Sequence, residues 1–269
     1  METNWGKGFT LIELLIIVAV LGILAAGIIV VIDPLAKINS ANLAKTETFA
    51  ASIQNTLAMD LVGEWTFSGN ANDTSGYGNN GSSCPSFVPD HKNQVNKACS
   101  FNGMSDYVDV GNGASLDVGA EESSMTIEAW VYLNVVKSSE IVAKVDQYWF
   151  EIKGNSTIEF LFLDTANGIV RIYSNAGVIT AGTWLHLVAV KDGTTGRIYK
   201  NGIDATSSSD VLDDIRTTTN NLLIGSYNAS SDYFNGLIDE VRIYNSALLS
   251  YQTKQLYAQG LLKHLLAFR

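Results

Sequence analysis

Histidine and cysteine are scarce in this 269-residue chain, with three of the first and two of the second. A zinc site of four Cys/His ligands at short spacing is therefore excluded. Basic residues are also few: 17 against 27 acidic ones, for a formal net charge of −10. No basic stripe exists to contact phosphates, which argues against a nucleic-acid partner. The closely spaced carboxylates of glycoside hydrolysis, in a pattern such as Glu-x-Asp-x-x-Glu, are missing too. Glu151 and Glu159 do not form it, and Asp239-Glu240 occupy adjacent strand positions, which are expected to point to opposite faces. No Ser/His/Asp arrangement is evident. His186 lies on an apolar strand, where a satisfied core histidine is expected, and His91 and His264 stand in polar loop and tail contexts. Enzyme activity is not expected. Cys84 and Cys99, 15 apart in a polar region, read as a disulfide if the chain is exported, with two buried thiols as the alternative.

What the chain does have is an ordinary apolar content of 46%, unevenly spread. Phe9 to Ile32 is a run of 24 residues of which 20 are apolar, interrupted by Thr10, Glu13, Gly22 and Gly27. As a helix it would be about 36 Å long at about 1.5 Å per residue. That spans a bilayer core of about 30 Å. An ionised Glu13 at that depth costs several kcal/mol unless paired. No Lys or Arg lies within a helical turn of it, so it needs a partner, which could come from another chain. A secretory signal places its small-residue cleavage site after the apolar run. Here Lys7 and Gly8 precede it, so cleavage would retain the helix and give Phe9 a free amine able to pair with a neighbour's Glu13.

The residues Gly8-Phe9-Thr10-Leu11-Ile12-Glu13-Leu14 resemble the class III leader of type IV pilins and pseudopilins. The resemblance implies that residues 1–8 are removed by a prepilin peptidase, that the new N-terminus at Phe9 is methylated, and that Glu13 supports subunit assembly. The alternative is a signal anchor with an incidental Glu. Asp33-Pro34 ends or kinks the apolar helix. Phe49, Ile53, Leu57 and Leu61 then recur every four residues, an amphipathic helix over 35–60. The pilin resemblance implies that a membrane helix (9–32) followed by this amphipathic half packs on its own domain and in a filament core.

After Asp60 the pattern turns to period two with turn signals. Strands are expected at 62–67, 107–110, 126–133, 140–145, 148–153, 157–163, 169–173, 184–191, 196–200, 222–224 and 237–244. A terminal helix is expected from Ser246, as N-cap, to Gln259, and the apolar tail Gly260–Arg269 reads as helical. Many short strands imply a sandwich or jelly roll, so the whole chain reads as α+β, a long N-terminal helix followed by an all-β domain. Six segments carry a second resemblance: Asp73–Gly81, Ser100–Gly111, Met125–Tyr132, Thr183–Val190, Tyr199–Ile203 and Gly236–Tyr244. In this order, over 61–258, they look like the laminin-G-like, concanavalin A-like lectin/glucanase jelly roll, leaving 259–269 as a tail. That family often binds calcium between the first and last of these segments, which implies Asp73, Asn80 and Asp239 as ligands. The alternative is that these residues only form turns. Tyr148, Trp149, Tyr227 and Tyr233, at strand ends or in polar loops, are the candidates for stacking on a glycan, against the alternative of core aromatics, which Trp65, Trp130 and Trp184 are expected to be.

The expected function is a structural subunit of a type IV pilus or pilin-like filament that displays a lectin-like domain. Its partners would be identical or related pilin subunits, the prepilin peptidase and pilus assembly machinery, the cytoplasmic membrane before assembly, and a glycan. A minor pilin or pseudopilin acting as a tip adhesin is the second reading. A membrane-tethered glycan-active enzyme is the third, disfavoured by the missing carboxylate pattern.

Overall fold

The computed structural model describes residues 57–120, 124–211 and 213–265, with side chains through residue 261. The leader, the 9–32 run with Gly8, Phe9 and Glu13, and the 35–56 part of the amphipathic stretch lie outside the described residues. The chain divides into two units, Met1–Asn55 and Thr56–Arg269. Among the described residues no helix is long and apolar enough to cross a membrane.

The second unit opens with a helical turn over residues 57–60 and continues as two packed antiparallel sheets. The first sheet runs β12 (Ile203–Asp204), β11 (Thr195–Lys200), β10 (Trp184–Asp192), β5 (Met125–Leu133), β15 (Asn235–Tyr244), β3 (Ala98–Asn102) and β2 (Phe87–Val88). Its eighth strand, β1 (Leu61–Trp65), pairs with the later half of β15, while β3 pairs with the earlier half. The second sheet runs β13 (Thr206–Ser209), β9 (Ile169–Ser174), β8 (Ile158–Leu163), β7 (Tyr148–Ile152), β6 (Ser139–Lys144), β14 (Leu222–Ile224) and β4 (Val108–Gly111). Period-two alternation places one side of each sheet in a common core. Ile127, Ala129 and Val131 of β5 face Tyr148, Phe150 and Phe160 of the other sheet within it. Asn201-Gly202 joins β11 to β12 with both residues at positive φ, 51° and 72°, as the tight hairpin turn demands.

All eleven expected strands are present, with ends shifted by one or two residues. Four more exist. β2, β12 and β13 are short, and Thr206–Ser209 is polar throughout, so these pair through their neighbours and not through their own apolar pattern, whereas β3 buries Ala98, Cys99 and Phe101. The terminal helix α1 spans Ser250–Leu265, which corrects the expected start and runs on into the tail expected to be helical. At the start, Thr126 takes residues 246–248: its hydroxyl donates to the Ser246 carbonyl and accepts from the Leu248 N–H. The Gln252 side chain then accepts the Leu249 N–H, so Ser246 is not the N-cap. At the end, the helix continues through Gly260 because that residue lies on the Trp130 indole, where a Cβ would come within 2.3 Å of Cζ2.

Cys84 and Cys99 are disulfide-bonded, with Cα atoms 5.6 Å apart. The bridge closes the loop that carries β2 and His91 onto β3. Closing a loop of this length is worth about 3 kcal/mol in the chain-entropy account. Cys84→Ser with Cys99→Ser is therefore expected to lower stability by about 3 kcal/mol. Urea denaturation followed by tryptophan fluorescence checks it, and an unchanged midpoint would mean the loop is held by its other contacts.

Candidate functional site

Each sheet has a side turned away from the shared core, and the two sides differ in chemistry. On the second sheet, Trp149 and Glu151 alternate with the core residues Tyr148, Phe150 and Ile152. Cross-strand register then builds two rows on the outward side. Trp149 pairs with Ala143 and Leu161, and Glu151 pairs with Glu140 and Glu159. Tyr227, from the loop after β14, meets the Trp149 ring edge-on at 5.8 Å. Aromatic surface and three carboxylates thus share one face.

The carboxylate row is nearly closed to water: Glu140 is 2% exposed, Glu151 4% and Glu159 9%. Lys153 Nζ lies 2.6 Å from Glu151 and 3.9 Å from Glu159. Burial and the adjacent Glu151 push the Glu140 carboxyl well above the usual carboxylate range. Burial likewise raises Glu159, against the pull of Lys153. Folded Glu140 therefore keeps a proton that the unfolded chain releases above about pH 4.5. With more protons on the folded state, stability falls as pH rises from that point toward the folded value. Glu151, Glu159, Lys153, Asp232 and Tyr227 are the charged or titratable groups around it. Glu140→Gln mimics the protonated form. It is expected to raise the melting temperature at pH 8–9 and to flatten its decline between pH 5 and 9. Parallel pH curves for the two proteins would show that Glu140 does not carry this dependence.

Of the four aromatics expected to bind a glycan, the structure brings Trp149 and Tyr227 together. Tyr233 stands in the same loop, half-buried, its hydroxyl donating to the Ala229 carbonyl. Tyr148 is a correction. It is fully buried and donates its hydroxyl to the Leu116 carbonyl at 2.9 Å, because the strand starts at Tyr148 with that side chain turned inward. Trp65 is a core residue as expected; Trp130 is buried, but on the outward side of its sheet beneath His91 and Tyr257, and Trp184 is half-buried on that same side.

The outward side of the first sheet holds a buried charge network, and α1 packs against it. Arg242 contacts three carboxylates: Glu64 at 2.7 Å, Glu128 at 3.1 Å and Glu240 at 3.1 Å. Glu128 also receives His186 Nε2 at 2.9 Å and the Tyr244 hydroxyl at 3.2 Å. His186 is thus buried with one nitrogen engaged, while its Nδ1 has no protein partner. Burial would raise Glu240, but Arg242 and Lys92 hold it at about 2. Asp239 and Glu240 do not point to opposite faces. A bulge between Asp239 and Arg242, with Glu240 at φ 46°, inserts an extra residue, and both carboxylates line one polar cleft of about 250 Å³.

Asp239 is 1% exposed and pairs with His91 Nδ1 at 2.9 Å. The His91 ring lies flat on Trp130 at 3.9 Å, and Trp184 approaches it edge-on at 5.8 Å. Burial lowers His91 to about 3, so the imidazole is uncharged at neutral pH. Burial, Glu240 and Asp90 raise Asp239 to about 8. The sequence marked His91 only as a polar-loop residue. Nothing in its local pattern shows a partner 148 positions away.

Asp73 and Asn80 are engaged within their own loop. Asp73 Oδ1 accepts the Glu64 and Ser75 N–H groups, and Oδ2 accepts that of Asn79. Asn80 Oδ1 accepts the Asp73 N–H at 3.0 Å. These oxygens cap the loop's own amides, which is the turn-forming alternative. Asp239 instead groups with Asp90 and His91.

The two antiparallel sheets and their shared core define a β-sandwich of the lectin type. Residues 102–252 match the family described as the concanavalin A-like lectin/glucanases superfamily, and the chain belongs to that family. Residues 7–29 match the prokaryotic N-terminal methylation motif, the type IV pilin leader. That motif implies processing by a prepilin peptidase and assembly by pilus-like machinery, with membrane insertion preceding assembly outside the cell. Among solved structures, the binding domain of Paraclostridial Mosquitocidal Protein 1 is similar at 18% identity and a TM-score of 0.63, over 76% of this chain and 53% of that one. The binding domain of botulinum neurotoxin serotype G is similar at 17% identity and a TM-score of 0.60, over 74% and 51%. The chain thus spans about half the length of these toxin domains. Domain 4 of AbnA, an extracellular arabinanase from Geobacillus stearothermophilus, is similar at 20% identity and a TM-score of 0.51, over 74% of this chain and 98% of that one. These likenesses establish the fold. No curated protein matches the chain.

Proposed function

We propose that the protein is a subunit of a type IV pilus or pilin-like filament that carries a lectin-like domain outward. The observation behind it is the methylation motif at 7–29, with Gly8, Phe9 and Glu13, on the same chain as a concanavalin A-like domain. The subunit waits in the membrane by its apolar run 9–32. Cleavage after Gly8 frees the Phe9 amine, the apolar helices bundle, and Glu13 meets a neighbour's N-terminus. The work done is assembly and display, without turnover. The test is mass spectrometry of filaments sheared from cells: a mature N-terminus at a methylated Phe9 is expected, and an assembled form starting at Met1 overturns the reading.

The Trp149–Tyr227 face favours a second reading, a minor pilin or tip adhesin that holds a glycan. The arabinanase domain solved in complex with arabinotriose supports this choice of ligand class. A glycan array probed with the full chain in detergent is expected to show a sugar whose binding is lost in Trp149→Ala. Uniform silence overturns the adhesin reading and leaves the filament reading intact. Scarcity in sheared filaments would favour the tip position.

A further inference from the structure

Three side chains from two distant parts of the sequence converge beside the cleft on the first sheet. One ligand atom from each of Asp90, His91 and Asp239 lies within 4.8 Å of the others. Asp90 and His91 come from the loop between β2 and β3 that the disulfide closes, and Asp239 from the central strand β15. Each carboxylate is oriented through one oxygen. Asp90 Oδ1 accepts the Lys92 and Gln94 N–H groups at 2.8 and 2.7 Å, and Asp239 Oδ1 accepts the Glu240 N–H at 2.7 Å. Hydrogen bonds of this kind fix the orientation of ligating carboxylates, and the second oxygen of Asp239, Oδ2, faces His91 Nδ1 at 2.9 Å. The His91 side chain is 2% exposed, and its Nε2 has no protein partner.

The surroundings favour a cation. Asp90, Asp239, Glu240 and Glu64 line the cleft against Lys92, Lys97 and Arg242, with Lys92 paired with Glu240 and Arg242 with Glu64 and Glu240. The cleft, about 250 Å³, supplies a path from solvent and room for a water ligand. Calcium takes six to eight oxygen ligands, and an imidazole is not among them. Two carboxylates and an imidazole suit a borderline ion with about four ligands, bound at about 2.0–2.2 Å.

We infer that Asp90, His91 and Asp239 bind one divalent ion of the zinc class, with water from the cleft as a further ligand, and so clasp the 84–97 loop to β15. The ion takes the place of the proton between Asp239 and His91, which leaves to solvent. This site is independent of the filament reading and of the glycan face.

The test uses the full chain in detergent, stripped with EDTA and titrated with zinc chloride and, separately, cobalt chloride. One equivalent of zinc is expected to bind and to raise the melting temperature, and cobalt to give the visible bands of a four-coordinate site. His91→Gln and Asp239→Asn are each expected to weaken zinc binding by more than the ~10–100-fold typical of losing an outer-shell partner, and to erase the cobalt bands. Asp73→Asn serves as the control and keeps both signals. If either variant loses its far-UV circular dichroism, Asp90→Asn replaces it, since an amide oxygen can keep the backbone contacts of Oδ1. The inference is overturned by the absence of saturable zinc binding, by binding unchanged in the variants, or by calcium binding in preference to zinc.

Discussion

Arg242→Ala is expected to destabilise the β domain by about 3–5 kcal/mol, the range for removing one partner of a buried ion pair. Arg242 is 17% exposed and answers Glu64, Glu128 and Glu240 at once. Glu128 is fully buried, and its carboxylate is held below its ordinary value against burial, first by Arg242 and then by His186. Truncation leaves that charge in a dry site with only His186 and Tyr244 beside it. The variant has two ways out: it can let water in, or it can hold Glu128 protonated. Both cost stability, and the second makes the loss smaller at low pH. For a domain of about 200 residues each kcal/mol moves the melting temperature by about 2–4 °C, so a drop of about 6–20 °C is expected by calorimetry. Adding Glu128→Leu is expected to recover part of the loss, because the stranded charge goes with it. A loss under about 1 kcal/mol for Arg242→Ala would put these contacts among weak surface pairs.

Glu13→Ala is expected to abolish filaments while leaving the β domain folded, if the chain assembles as proposed. The effect is large because the 24-residue run carries no other charge. Apolar packing holds helices together but does not set their stagger, since lipid is as apolar as the helices themselves. A Glu13 carboxylate that pairs with the Phe9 amine of a neighbour fixes that stagger and relieves an unpaired charge at membrane depth. Electron microscopy of sheared fractions, with immunoblots of membranes, reads the outcome. Subunits retained in the membrane without filaments are expected, and filaments at the ordinary level would remove the role assigned to Glu13. Glu13→Asp separates charge from reach: partial assembly shows that the carboxylate counts, and its shorter stem measures how tightly the pair is set.

Most of the sandwich was legible along the chain. β5, β8 and β10 alternate or run apolar strongly enough to be placed within a residue or two, because their burial depends on side-chain character at period two. β12 and β13 were not, because strands such as Thr206–Ser209 have no apolar pattern and exist only through backbone pairing with a neighbour. The disulfide was readable from two cysteines and an exported context. The turn-forming role of Asp73 and Asn80 was one of two readings open in the sequence, and both side chains accept hydrogen bonds from the loop's own amides.

The candidate sites were less legible for a different reason. Trp149 and Tyr227 were singled out by residue type and loop context. The row Glu140–Glu151–Glu159 follows only from register across β6, β7 and β8, and no spacing in the sequence encodes it. Asp239 and Glu240 were expected on opposite faces by strict alternation. One bulge residue at positive φ puts both on the cleft.

By itself the sequence determined the parts whose physics is local: the apolar run with its single Glu13, the leader before it, the period-two strands and the turn residues between them. Helix span, charge burial and alternation are read over a few neighbouring positions, so no fold is needed to see them. The tertiary structure alone decided that His91 stacks on Trp130 and bonds Asp239, that Gly260 lets α1 lie on that same indole, and that Tyr148 is core while Trp149 beside it is surface. These depend on strand register, on one bulge and on where a disulfide-closed loop comes to rest. Such features arise from pairing between residues far apart in the chain, where no local pattern records the partner.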